Sequence, residues 1–389
     1  MDAVAHSFKK GRGSDLTSAV SCLAAYVDRH EWDGLINDEN FYNSYDWLAS
    51  LEHAQGPADI LKVYGASGLL AGCPLWTGDA GTTLFTPQAL FPNMSEQWGN
   101  KYLWGGARRS THNELVCTQG ASRQEALRQV FYSGCTYASE HNFSGFLIPY
   151  MPLRRALEIV DCTPEAHVLL HAAEAVMPVP AGGLTEMLDS WRSHDRVRSK
   201  AEIAAFEKYE NKVRWLPLTS DLDDRVATLI TNNRNKYGSA QDKQWMIENL
   251  RGQRKSGVIH SAIAVLAERG DQVSAVTVFY KFGESLHARY FGSDYTLADN
   301  DYRYFVLTYY LSLDYAAFHG LKKCCLSTSA LEAKAKRGSL IEPLAAVVIS
   351  GEDTFNRDAV RQHNYRFAQD YKTRFKSSLS ADWRLLTHL

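Results

Sequence analysis

Three cations crowd one short stretch of this 389-residue chain. Leu331 to Gly338 reads LEAKAKRG and sets Lys334, Lys336 and Arg337 beside one acid, Glu332. The stretch follows the apolar run from Lys323 to Leu326 and the small polar residues Ser327 to Ser329. Cations just past the end of a buried strand either sit in a solvated loop or face a ligand that carries or develops negative charge. Lys336 reads as a solvated charge. Arg337 either meets anionic groups of a ligand or pairs with Glu332. Further candidates lie upstream. In SLHARYF, His287 and Arg289 alternate onto one face of a strand. A histidine there is either a base working near neutral pH or a satisfied core residue. An arginine in a central strand needs a partner. Tyr280 faces core or cleft by the same alternation. Asp294 and Tyr295 follow the strand. Asp294 either orients and deprotonates an attacking ammonium or caps a turn. Tyr237 ends a helix and either lines a cleft or packs. There is no Gly-x-Ser-x-Gly nucleophile motif, and the seven cysteines lack metal-ligand spacing.

The elements that must position these residues follow from hydrophobic period and turn signals. Helices are expected over Asn40–Glu52, Ser122–Asn142 and Arg154–Val160, and a hairpin over Asp59–Trp76 about the turn Gly-Ala-Ser-Gly. Phe146–Tyr150 reads as a strand. Met177–Gly183, with two prolines and two glycines, marks a boundary. Beyond it, Thr185–Val213, Leu222–Tyr237 and Asp242–Lys255 read as helices, Gly238 closing the second of them. Ser261–Phe291 holds three strand-like runs and predicts an antiparallel meander. Asp301–His319 predicts an apolar helix, and Leu321–Ser327 a strand. The tail Arg357–Arg384 is helical in pattern, with seven Arg/Lys against three Asp. Both halves run helices, meander, helix, strand. Their hairpins ILKVYGASGLLAGCPLW and IAVLAERGDQVSAVTVF align with Gly72 opposite Ala275. The fold class is α/β with mixed sheet, in two domains, residues 1–176 and 177–389.

Composition is that of a folded protein: 45% hydrophobic and 22% charged, with a net charge of −2 that gives no global pull toward nucleic acid or anionic membrane. The N-terminus lacks the apolar segment of a signal peptide, and no run has membrane-spanning length. The expectation is a soluble cytoplasmic protein with reduced cysteines, no metal and no membrane partner.

The element order resembles the GNAT acyltransferase fold. NKYG (Asn235–Gly238), FYKFGESLHARYFGSDY (Phe279–Tyr295), LEAKAKRG (Leu331–Gly338) and the N-terminal FYNSYDWLASLE resemble an actinobacterial branch of GNAT proteins. That branch is similar to the Fem-type peptidyltransferases, which use two GNAT-like halves. The resemblance covers nearly the whole chain and implies acyl transfer to an amine, from acyl-coenzyme A or from aminoacyl-tRNA. Coenzyme-A-using members carry an Arg/Gln-x-x-Gly-x-Gly/Ala loop whose N–H groups hold the pyrophosphate at a helix N-terminus. The corresponding loop here, Gly292–Arg303, has one glycine and the acids Asp294, Asp299 and Asp301. The preferred donor is therefore aminoacyl-tRNA as a co-substrate, with no resident cofactor.

The resemblance places Lys334 at the donor end or at the developing charge, and puts Asp294, Tyr280 and His287 with it as catalytic candidates. Tyr237, Arg289, Tyr295, Glu332 and Arg337 become candidates for substrate binding. Arg366, Lys372, Arg374 and Lys376 on the tail are candidates for gripping tRNA. Glu31–Asp59 holds seven acids and no Lys or Arg, so tRNA is expected on the second half, with the amine acceptor in the first. The acceptor expected is a small molecule of a natural-product (antibiotic) pathway. No long heptad run matches the coiled-coil insert common in cell-wall members. The alternatives are an acyl-CoA N-acyltransferase and a non-catalytic double-GNAT binding protein.

Overall fold

The computed structural model describes residues 6–8, 16–22, 27–77, 86–98, 101–297, 300–350 and 355–388. Two compact units emerge. One comprises Met1–Ala173 and Glu342–Leu389, the other Glu174–Ile341.

In the first unit the elements run β1 (His6–Phe8), β2 (Thr17–Cys22), α1 (Tyr45–Gln55), β3 (Asp59–Gly65), β4 (Gly68–Trp76), β5 (Tyr102–Gly105), β6 (Val116–Cys117), α2 (Arg123–Glu140), β7 (Gly145–Pro152), α3 (Leu153–Cys162) and the start of β8 (His167–Pro178). β2 through β5 are antiparallel neighbours, and β7 then lies parallel to β5. The core is aromatic, with Trp76, Phe91, Trp98, Tyr102 and Trp104 buried together.

In the second unit come α4 (Gly183–Ser190), α5 (Ser193–Lys208), β9 (Lys212–Pro217), α6 (Asp223–Lys236), α7 (Lys243–Ser256), β10 (Ala262–Arg269), β11 (Gln272–Phe282) and β12 (Ser285–Ser293). A helix α8 follows, built of an α-turn Arg303–Phe305, a π-helical segment Val306–Tyr310 and Leu311–Phe318. Then come β13 (Lys323–Cys325) and the single-turn α9 (Leu331–Ala335), followed by β14 (Leu340–Ser350), which lies in the first unit from Glu342 onward. Last in the chain, and in the first unit, is α10 (Arg357–Phe375). α7 shows why these helices start and stop where they do. The Asp242 side chain accepts from Trp245 N at its start, and Gly257 ends it with φ +90°.

Both units repeat one scheme: four antiparallel strands (β2 to β5, and β9 to β12), a helix, and a strand parallel to the fourth; the first unit adds β1 beside β2. The closing antiparallel strand is exchanged between them in chain order. β14 pairs with β7, while Val176–Pro178 of β8 pairs with β13. This corrects the expected division. The basic tail, assigned above to the second half, belongs to the first unit because β14 carries the chain there. β8, β9 and β14 were not expected as strands. Their near-continuous burial in β8 and β14 removes the alternation that would mark them.

The two hairpins do share a detail. Each has a one-residue bulge beside its turn, between Val63 and Tyr64 in one and Ala267 and Glu268 in the other. The register equates Ala71 with Ala275, one residue from the alignment read in the sequence. No helix among the described residues is long and apolar enough to cross a membrane.

One close approach fixes the second unit's meander against its helices. A Cβ added at Gly292 would lie 2.5 Å from Leu229 C and Ile230 N, both backbone atoms of α6. Backbone cannot yield as a flexible side chain can. Gly292→Ala is expected to cost about 1–3 kcal/mol, seen as a lower denaturant midpoint at constant slope.

Candidate functional site

The site opens where two strands part. β12 and β13 pair in parallel only from Ser285 to His287 against Lys323 to Cys325. β12 then stays with β11, while the chain after Cys325 follows β8: Leu326 N donates to Ala175 O (2.8 Å) and Ala175 N to Ser327 O (3.1 Å). A cleft of about 800 Å³ fills the gap within the second unit. A bulge at Arg289 deforms its β12 wall, since Val278 pairs with Tyr290 but Phe279 with Ala288. The opposite walls are the residues after β13, the start of α8 and the end of α6. Three non-glycine residues on these walls have left-handed backbone: Tyr302 (φ +54°), Ser327 (φ +67°) and Ala330 (φ +50°). Such strain, like the π-segment in α8, concentrates at functional sites.

Lys334 lines the cleft yet is 1% exposed. α9 delivers it, turning back so that Nζ donates to the carbonyls of Leu326 and Ser327, the latter at 3.3 Å. Burial pushes its ammonium down to about pKa 7, against the opposing charge of Glu174. As a neutral amine it has two hydrogens for the two carbonyls and one lone pair left over. The arrangement can therefore take up a proton near neutral pH, or present a positive charge after doing so.

Asp294, Tyr295, Tyr237 and Arg289 also line the cleft. The Asp294 carboxylate is bound up as a turn cap. It accepts from Thr296 Oγ1 (2.6 Å), Thr296 N (3.1 Å) and Arg225 Nη2 (3.2 Å). The Thr296 hydroxyl first, then Arg225, hold its pKa below the usual carboxylate range, which makes it a poor base. Tyr295 donates to Asn233 (2.6 Å), and the Lys236 ammonium lies 3.9 Å over its ring. Tyr237 is 77% exposed.

Four expected site residues lie elsewhere. Tyr280 is fully buried and donates to Gln253 Oε1 (2.5 Å), which is core hydrogen bonding. His287 is buried in the paired part of β12. Glu332 is exposed on α9. Arg337 is buried and does not pair with Glu332. It forks onto Glu202 of α5 (Nη2–Oε1 2.5 Å, Nε–Oε2 3.1 Å), and its guanidinium lies 3.5 Å over the Phe305 ring. Its role is to tie α5, α8 and α9 together behind the cleft wall.

The loop before α8 is also informative. Asp301 is 1% exposed, accepts from Arg303 N (3.2 Å) and both chelates Arg303 Nε (2.8 Å) and meets Arg269 Nη2 (2.8 Å). The helix start thus holds the chain's own carboxylate. Asp299 lies outside the described residues. Sequence reading missed Lys236, Tyr302, Tyr304, Thr277 and Thr308 of the cleft. Lys236 adjoins Tyr237 and was within reach, whereas the others became visible only once α8 was placed.

The buried thiols of Cys73, Cys117 and Cys324 are pushed up to about 12, so none is a ready nucleophile. Among the described residues no cluster of His, Cys, Asp or Glu has metal-binding geometry. The four basic residues of the tail, Arg366, Lys372, Arg374 and Lys376, are all exposed in the first unit, Arg374 pairing with Asp370 (2.9 Å).

No protein-family model matches the chain, and no curated protein does. Solved structures do. FemX is 10% identical, with 87% of this chain and 98% of FemX covered at a TM-score of 0.56. The C-terminal domain of a putative lysylphosphatidylglycerol synthetase from Agrobacterium fabrum is 8% identical, covering 84% and 93% at 0.53. L-PGS from Bacillus licheniformis is 10% identical, covering 90% and 98% at 0.51. The chain shares the fold of FemX and L-PGS.

Proposed function

We propose that the chain is an aminoacyltransferase of the cytoplasm. It moves an aminoacyl group from aminoacyl-tRNA to the amine of a small-molecule acceptor, forming an amide in the second unit's cleft. Lys334 carries this reading: a buried lysine, near-neutral in pKa, with its lone pair free at the floor of a cleft. The acceptor nitrogen attacks the ester carbonyl carbon, Lys334 takes the proton that nitrogen loses, and the ribose oxygen of the tRNA leaves. An ester is already activated, so alignment and proton transfer suffice.

The choice of donor rests on Asp301. A coenzyme A pyrophosphate would need the N–H groups at the start of α8, and there Arg303 N already serves a buried carboxylate. One fold neighbour is by name a putative lysylphosphatidylglycerol synthetase, which fits aminoacyl transfer. The exposed aromatic Tyr237 beside Lys236 also suits single-stranded nucleic acid.

Titration of the protein with an RNA minihelix bearing an unpaired 3′ end, and separately with acetyl-CoA, tests the donor. The minihelix should bind with strong salt dependence and acetyl-CoA should not. Tight acetyl-CoA binding with no RNA binding would refute the reading. Replacing Arg366, Lys372, Arg374 and Lys376 together by Gln should reduce the salt slope by about 3–4 if all four meet phosphates. An unchanged slope would remove the tail from the interface.

A further inference from the structure

Two tyrosine hydroxyls face each other at the cleft wall. Tyr309 is fully buried in the π-helical segment of α8, and its hydroxyl lies 2.8 Å from that of Tyr304, which lines the cleft. Among the described residues neither hydroxyl has another hydrogen-bond partner. Each phenol has one hydrogen to give. If Tyr304 gave its hydrogen to Tyr309, the Tyr309 hydrogen would be left unmet in the core, and an unmet buried donor is destabilising. The favoured direction is therefore from Tyr309 to Tyr304. That leaves Tyr304 with its own hydrogen still to give, on an oxygen already accepting a bond and on a residue that lines the cleft. The π-segment matters here because it alters the angular spacing within the helix. The rings are fixed by packing: Tyr304 sits 4.7 Å from Phe291 edge-on, and Tyr309 is 5.9 Å from Phe305.

We infer that Tyr304 is a further catalytic residue, the acid that protonates the departing ribose oxygen, with Tyr309 as the positioning residue that aims it. The inference rests on the aminoacyl-tRNA reading, because a ribose alkoxide is a poor leaving group that needs a proton. The step balances. The carbon–nitrogen bond forms and Lys334 takes the amine proton. The carbon–oxygen bond breaks, its electron pair stays on the ribose oxygen, and the Tyr304 proton joins it. The Tyr304 phenolate regains a proton from the Lys334 ammonium through cleft water. Burial raises the Tyr304 pKa, and the hydrogen bond from Tyr309 and then the charge of Arg337 oppose that rise, so both favour the transient phenolate.

Leaving-group dependence tests this directly. Wild type, Tyr304→Phe and Tyr309→Phe would be compared on two donors carrying the same amino acid, an aminoacyl RNA minihelix and an aminoacyl thioester of N-acetylcysteamine. A thiolate, with a conjugate thiol pKa of about 8.5, leaves without an acid. Tyr304→Phe should lower kcat on the ester by about 10²-fold or more, with KM little changed, and leave thioester turnover nearly as in wild type. Tyr309→Phe should show a smaller loss, again on the ester alone. Equal losses on both donors, or no loss on the ester, would overturn the role. Wild type that uses the thioester but no RNA ester would overturn the tRNA reading first, and the Tyr304 role with it.

Discussion

Lys334→Met is expected to lower kcat by about 10²–10⁴-fold while the protein stays folded, because the variant keeps the volume and loses the proton acceptor. Lys334→Arg should be no better. A guanidinium stays protonated throughout the working pH range and cannot offer a lone pair. With the wild type, the rate should rise with pH through about 7, as the buried ammonium gives up its proton. Stability carries the same signature. The amine pKa is lowered in the fold to about 7 from its ordinary 10.5, so the unfolded chain binds more protons between those values. Wild-type stability relative to the Met variant should therefore rise as pH goes from about 7 toward 10, and be flat below about 7. Denaturant midpoints at pH 6, 8 and 10 measure it. A difference independent of pH would mean that Lys334 is not desolvated as described.

Glu202→Gln is expected to destabilise the protein by about 3–5 kcal/mol, the largest loss among single polar substitutions at the site. The carboxylate and its partner Arg337 are both about 5% exposed, and Tyr310 adds its hydroxyl to the same carboxylate. Neutralising one member leaves the guanidinium buried with its charge unanswered. Glu332→Gln, on the exposed side of α9, should change stability by no more than about 0.5 kcal/mol. Urea unfolding of the two variants separates these outcomes. Similar midpoints would place Arg337 outside the core network, and would return it to the surface pairing expected from sequence.

That contrast shows what the chain makes legible. Local pattern was sufficient for the meander and for α2, α6 and α7, because each depends on residues close in sequence. Arg337 was misread because its partner is 135 residues away, and no local period points to Glu202. Tyr280 and His287 were drawn into the site by strand alternation, which gives a face but not whether that face is cleft or core. β8 and β14 went unseen for two reasons. Both are buried on both faces, and their pairing crosses the order of the chain. The acids of the loop before α8 were noticed, but read as repulsion. Only the structure shows Asp301 folded back onto Arg303 and Arg269. Tyr304 and Tyr309 give no separable signal in an apolar helix, since the π-segment that sets their spacing leaves no mark in composition.

Amide formation from an RNA-borne ester is the central step. The most direct measurement is turnover in a mixture of total tRNA, charging enzymes, labelled amino acids and candidate amines, with and without ribonuclease. A labelled amide that appears, vanishes with ribonuclease and vanishes with Lys334→Met is the predicted result. Product that survives ribonuclease and forms only when acetyl-CoA is supplied would contradict it. The α8 start would then bind a pyrophosphate despite Asp301.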